Sequence, residues 1–103
     1  MDTAHDLADL LLASARGDRD AFRRFYDATS SRAFGLELVR ARSRAVPYPR
    51  ATAERATTDR FIRAWRAAPE YAGSGLSPLA WLLSLPTSGP AERAVACIEE
   101  AIA

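Results

Sequence analysis

The chain has 103 residues, a formal net charge of +1, 49% hydrophobic and 26% charged residues, which is the balance of one small folded domain and not of a disordered chain. One cysteine, Cys97, and one histidine, His5, exclude an intramolecular disulfide and a standard structural zinc site. No apolar run nears the roughly 20 residues of a membrane span, and the acidic start (Asp2, Asp6, Asp9) is not that of a signal peptide, so a cytoplasmic protein with no membrane partner is expected.

All 14 basic residues are Arg and 22 residues are Ala, both strong helix formers. The Arg-for-Lys bias reads as a GC-rich genome rather than a function. The first helix is predicted over Ala4–Ala15, with Thr3 and Asp6 spaced as a capping box and Leu7, Leu10, Leu11 and Ser14 at helical spacing. Gly17 is its stop and Asp18 the cap of the next helix. That second helix starts near Arg19, with an inner stripe of Phe22, Phe25, Tyr26, Thr29, Ala33, Leu36 and Val39 or Arg40. The Thr29–Ser30–Ser31 run is where it can bend or split. Pro47 and Pro49 place residues 42–51 in an exposed loop.

The third helix is predicted from Thr52 or Ala53, burying Ala53, Ala56, Thr57, Phe61, Ala64, Trp65 and Ala68, and closed by Pro69. Residues 70–76 read as a loop. Ser77-Pro78 opens a short apolar fourth helix (Leu79, Trp81, Leu82, Leu83, Leu85) that ends at Pro86. A linker turn and an amphipathic helix over Ala91–Ile102 follow. No strand alternation occurs, so the expectation is an all-α bundle of four to five helices. It divides into a helical domain over residues 1–85 and a linker plus terminal helix over 86–103.

Charge is unevenly spread. Residues 1–39 carry net −2, residues 40–66 net +6, and residues 67–103 net −3. Such a basic segment either attracts a polyanion or an acidic protein face or is a solvated helix surface. No catalytic constellation is present. Gly73-Ser74-Gly75 is too short for a phosphate loop. Cys97 lies beside the inner stripe of the last helix, far in sequence from His5, and reads as packing. No enzymatic activity, metal or cofactor is expected.

One ordered set of segments carries more information. Leu10-Leu11-Leu12 leads to Gly17-Asp18, then Ala21-Phe22 and Phe25-Tyr26-Asp27, then Ala33-Phe34-Gly35-Leu36. Ala53-Glu54 follows, then Asp59-Arg60-Phe61-Ile62-Arg63-Ala64-Trp65-Arg66, Tyr71, and Ser77-Pro78-Leu79-Ala80-Trp81-Leu82-Leu83. Over about residues 7–85 this order resembles region 2 of the extracytoplasmic-function (ECF) sigma factors of the sigma-70 superfamily.

The resemblance implies a transcription initiation protein that docks on the β′ clamp helices of core RNA polymerase and melts and reads promoter −10 DNA. It assigns polymerase contacts to Glu54, Asp59, Arg63 and Arg66. It assigns the loop that captures a flipped base to residues 70–75, with Tyr71 and Ser74. Arg40, Arg42 and Arg44 join the DNA-binding set as the cations of the central basic segment. An anti-sigma factor is a further expected partner. The alternative is a sigma-like interaction module, for an anti-sigma or sigma factor, without DNA readout.

The sequence departs from the family pattern at several places. Arg55 and Thr58 stand where an acid and a Gln are usual, and Arg60 stands where an apolar residue is usual. Val46-Pro47-Tyr48-Pro49 is an atypical insertion. After Trp81-Leu82-Leu83 the family continues with a basic helix, whereas here Pro86 and an acidic segment follow. A second helical domain, which the family uses for the −35 element, is not found within these 103 residues.

Overall fold

A computed structural model describes residues 3–86, with side chains from residue 6 onward. The expected linker and helix of residues 87–103, Cys97 with them, and the side chain of His5 lie outside the described residues. The described residues form four α-helices and no strand: α1 (Thr3–Ala15), α2 (Arg19–Ser43), α3 (Pro49–Tyr71) and α4 (Pro78–Ser84). The all-α reading therefore holds.

The α1–α2 corner follows its sequence signals. Gly17 adopts φ +91°, a left-handed conformation that costs glycine nothing, and its amide bonds the Ser14 carbonyl at 2.9 Å. Asp18 then caps α2, its Oδ1 accepting from the Ala21 amide at 3.0 Å.

Helix α2 is unbroken across Thr29–Ser31. The buried Thr29 hydroxyl donates back to the Phe25 carbonyl at 2.7 Å, so the hydroxyl is satisfied without opening the helix. Thr57 does the same to Ala53, and Ser14 to Leu10, each at 2.7 Å. All three polar residues can thus sit on buried faces.

The expected inner stripe of α2 needs correction. The buried row is Ala21, Phe25, Thr29, Ala33, Glu37 and Ala41, while Tyr26 and Val39 are exposed. Steps of four advance about 40° around a 3.6-residue helix, so the row winds as the neighbouring helix changes. Phe22 and Leu36 are half-buried beside it.

The inter-helix loop is also shorter than expected. Residues 44–46 turn back onto the end of α2, with the Val46 amide on the Ala41 carbonyl at 3.3 Å. Pro49 begins α3 instead of interrupting it, because the first helical position needs no amide donor. At the other end Pro69 lies inside α3, not beyond it. It removes the one bond to the Trp65 carbonyl in the closing turn, and the helix continues to Tyr71.

The core cluster joins Leu7 and Leu11 of α1, Phe25 and Ala33 of α2, Phe61, Ala64 and Tyr71 of α3, and Trp81 and Leu82 of α4. Ala33, Ala53 and Ala64 have no solvent exposure, and their small size lets α2 and α3 pack along their length. Phe25 and Phe61 meet edge-on at 6.3 Å between centroids, and Phe22 meets Trp65 at 5.2 Å. Each such pair contributes about 0.5–1.5 kcal/mol beyond its buried area.

One buried group breaks the apolar pattern. Arg60 of α3 has no exposed surface and pairs through Nη2 with Glu37 of α2. Its Nη1 donates to the Leu82 carbonyl at 2.8 Å and the Leu85 carbonyl at 3.0 Å. Helix α4 has only seven residues; Ser77 caps its start by accepting from the Ala80 amide at 3.3 Å. Arg60 closes its other end, where a cation complements the partial negative charge of the carbonyls.

Candidate functional site

The outward face of α3 gathers the four residues expected to contact polymerase. Glu54 and Arg66 are exposed, Asp59 and Arg63 half-exposed. At 100° per residue they fall within one half of the helix surface, opposite Ala53, Thr57, Ala64 and Ala68. Arg63 Nε donates to Asp59 Oδ2 at 3.2 Å, an i,i+4 pair that fixes both side chains along the face.

The face also holds residues that charge patterning did not select. Ile62 is 47% exposed and lies at the middle of the four charged residues. It lines three adjoining depressions with Thr58, Asp59 and Arg66. The most apolar of these is bounded by Phe22, Tyr26, Phe61, Ile62, Trp65 and Arg66. Tyr26 stands on its rim, 43% exposed and edge-on to Phe61 at 4.7 Å. Its place in the sequence pattern suggested core; the only sequence signal for its real position is that it lies about 100° from Phe25. A charged helix face with an apolar strip down its centre is suited to packing against another helix.

The residues expected to touch DNA do not form one group. Arg40, Arg42 and Arg44 are exposed at the end of α2. Tyr71 and Ser74 lie at the far end of α3, whose 23 residues span about 33 Å. Tyr71 is helical and buried, not in a loop, and its ring meets Trp81 edge-on at 5.6 Å. The Ser74 hydroxyl donates to the Tyr71 carbonyl at 2.7 Å and accepts from the Leu76 amide at 3.2 Å, which shapes the turn before α4. Arg40 is partly occupied by Glu37 at 3.4 Å. Among the described residues no group of three His, Cys, Asp or Glu side chains is placed to hold a metal, and no helix is long and apolar enough to cross a membrane.

Comparison with known proteins bears on the chain as a whole. Over 80 residues, 78% of this chain, it is 42% identical to an ECF RNA polymerase sigma factor SigK of Mycobacterium ulcerans (strain Agy99). The chain is homologous to part of an ECF sigma factor. Over 80 residues it is also 39% identical to a SigK of Mycobacterium sp. (strain KMS) and 36% identical to one of Mycobacterium bovis (strain BCG / Pasteur 1173P2). This sigma-factor homologue spans about two-fifths of the length of these curated relatives. No family model and no solved structure matches it. The homology and the four-helix architecture agree with the ordered Leu…Gly-Asp, Phe…Tyr, Phe…Trp and Trp-Leu-Leu segments from which the resemblance was read.

Proposed function

We propose that this sigma-factor homologue acts in transcription initiation, binding core RNA polymerase through the outward face of α3. The observation that carries the reading is the geometry of that face. Glu54, Asp59, Arg63 and Arg66 flank the exposed Ile62, and the apolar depression of Phe22, Tyr26 and Trp65 adjoins them. The homology gives this helix a sigma-factor context. The partner on this reading is the β′ clamp-helix pair, whose helical surface matches an amphipathic strip of this kind. Promoter DNA is a second ligand, met by the arginines at the end of α2.

The test is capture of core polymerase by the tagged full chain. Arg63→Glu combined with Arg66→Glu is expected to weaken capture at least tenfold while leaving helicity by circular dichroism unchanged. Capture equal to that of the unsubstituted chain removes α3 as the docking surface.

A second reading is a protein-interaction module for an anti-sigma or sigma factor, without DNA readout. The burial of Tyr71 against Trp81 favours it. Under that reading the chain binds no melted −10 DNA at any salt concentration.

A further inference from the structure

The turn between α2 and α3 is flanked by cations and by no acid, and among the described residues Arg40 alone of them is ion-paired, with Glu37 at 3.4 Å. Residues 38–53 contain Arg40, Arg42, Arg44 and Arg50 and no acid. The nearest carboxylate on α2, Glu37, is buried against Arg60. Arg42 and Arg44 form no ion pair among the described residues. The α2 dipole accounts for Arg40 and Arg42, which lie in its last turn at the negative end. It does not account for Arg50, which occupies the first turn of α3, where a cation meets the positive end. Arg50 is held there over the Phe34 ring at 5.5 Å.

Between Arg44 and Arg50 in the chain stands Tyr48, 76% exposed, the most exposed of the large apolar side chains described. Pro47 and Pro49 fix the backbone on both sides of it, and its own side chain makes no capping bond to α3. A solvent-facing aromatic ring on a proline-restricted turn flanked by Arg44 and Arg50 buries little area of its own and so adds little to the folding free energy. It matches what an unpaired polynucleotide strand presents: phosphates at regular spacing and bases with both faces open. An acidic peptide would use the cations but not the ring.

We propose that the α2–α3 turn binds single-stranded nucleic acid, with Arg42, Arg44 and Arg50 on the phosphates and Tyr48 stacked on a base. This deepens the DNA half of the function proposed above, and it does not depend on polymerase docking. The site lies at the opposite end of α3 from Tyr71 and Ser74.

The experiment is fluorescence anisotropy of the full chain with a labelled 20-nucleotide oligothymidylate between 50 and 200 mM NaCl. Three phosphate contacts give a slope of log K against log salt of about −2. Arg42→Ala with Arg44→Ala is expected to flatten that slope by about 1.4. Tyr48→Ala is expected to weaken binding about tenfold with the slope unchanged, and Tyr48→Phe to restore it, since the ring alone stacks. The three substituted positions are exposed, so circular dichroism of each variant is expected to match the parent.

Loss of binding in the arginine variant with Tyr48→Ala within twofold of the parent overturns the stacking site and leaves a DNA-binding role for the arginines standing. Absence of salt-dependent binding at 50 mM overturns both. Equal affinity for polyglutamate overturns the assignment to nucleic acid. Polymerase capture by Tyr48→Ala is measured beside these and is expected to be unchanged.

Discussion

Replacing Glu37 by Leu tests the buried ion pair most sharply. Arg60 has no exposed surface and, among the described residues, one carboxylate partner, Glu37. Among the described residues, removing that carboxylate leaves a buried guanidinium with two carbonyl partners and no counter-charge, and its Nε already lacks a partner. Breaking a buried pair from one side costs about 3–5 kcal/mol. For a domain of this size each kcal/mol lowers Tm by about 4–8 °C, so a fall of at least about 12 °C is expected.

Arg60→Met removes the pair from the other side. There Arg40, 3.4 Å from Glu37, supplies a substitute charge, but the carbonyls of Leu82 and Leu85 lose their donor at about 1 kcal/mol each. The double variant Glu37→Leu/Arg60→Met leaves no buried charge among the described residues. Its cost is expected to fall short of the sum of the singles by about 2 kcal/mol or more. The assay is urea unfolding of the full chain, followed by circular dichroism and tryptophan fluorescence. Should Glu37→Leu leave too little folded protein, Glu37→Gln keeps an acceptor and replaces it in the cycle. Singles that add to within about 0.5 kcal/mol would refute the coupling.

Three further outcomes are expected. Gly17→Ala places a side chain at φ +91° and should destabilise by about 1–2 kcal/mol, read from the urea midpoint, although nothing lies within 4 Å of the new methyl. Leu11→Ala empties a fully buried site and should cost about 2–5 kcal/mol in the same assay. Ile62→Ala should change stability by no more than about 0.5 kcal/mol yet weaken polymerase capture severalfold, a separation that a purely structural role for Ile62 would not produce.

Much of this architecture is legible in the sequence. Gly17-Asp18 and Ser77-Pro78 located two helix starts because capping chemistry is local. The prolines were harder, since Pro49 and Pro69 lie at or near helix ends, where a missing amide is tolerated, and residue type alone does not distinguish an end from a break. The two central charges were the larger omission. Glu37 continues the row of Thr29 and Ala33, and Arg60 that of Ala53 and Thr57, so their spacing placed opposite charges on two inner faces. Their polarity argued for solvent, and only the pairing of α2 with α3 reconciles the two signals. Tyr26 and Ile62 were misplaced or passed over for the converse reason: an apolar residue reads as core until the neighbouring helix is known. Glu54, Asp59, Arg63 and Arg66 share a face for reasons of helical geometry alone, which spacing does report.

The grip of Arg60 on Leu82 and Leu85 has a consequence for how the domain comes apart. Seven residues are too few to stay helical alone, so α4 persists only while it is docked. Its closing carbonyls are bonded from α3, by a side chain that is itself anchored to α2. Fraying of α4 therefore cannot be a local event: it must release a guanidinium shared by three helices. The amides of Leu82 and Ser84 should exchange with solvent deuterium only as fast as the whole domain opens, which makes the shortest of the described helices a gauge of global stability.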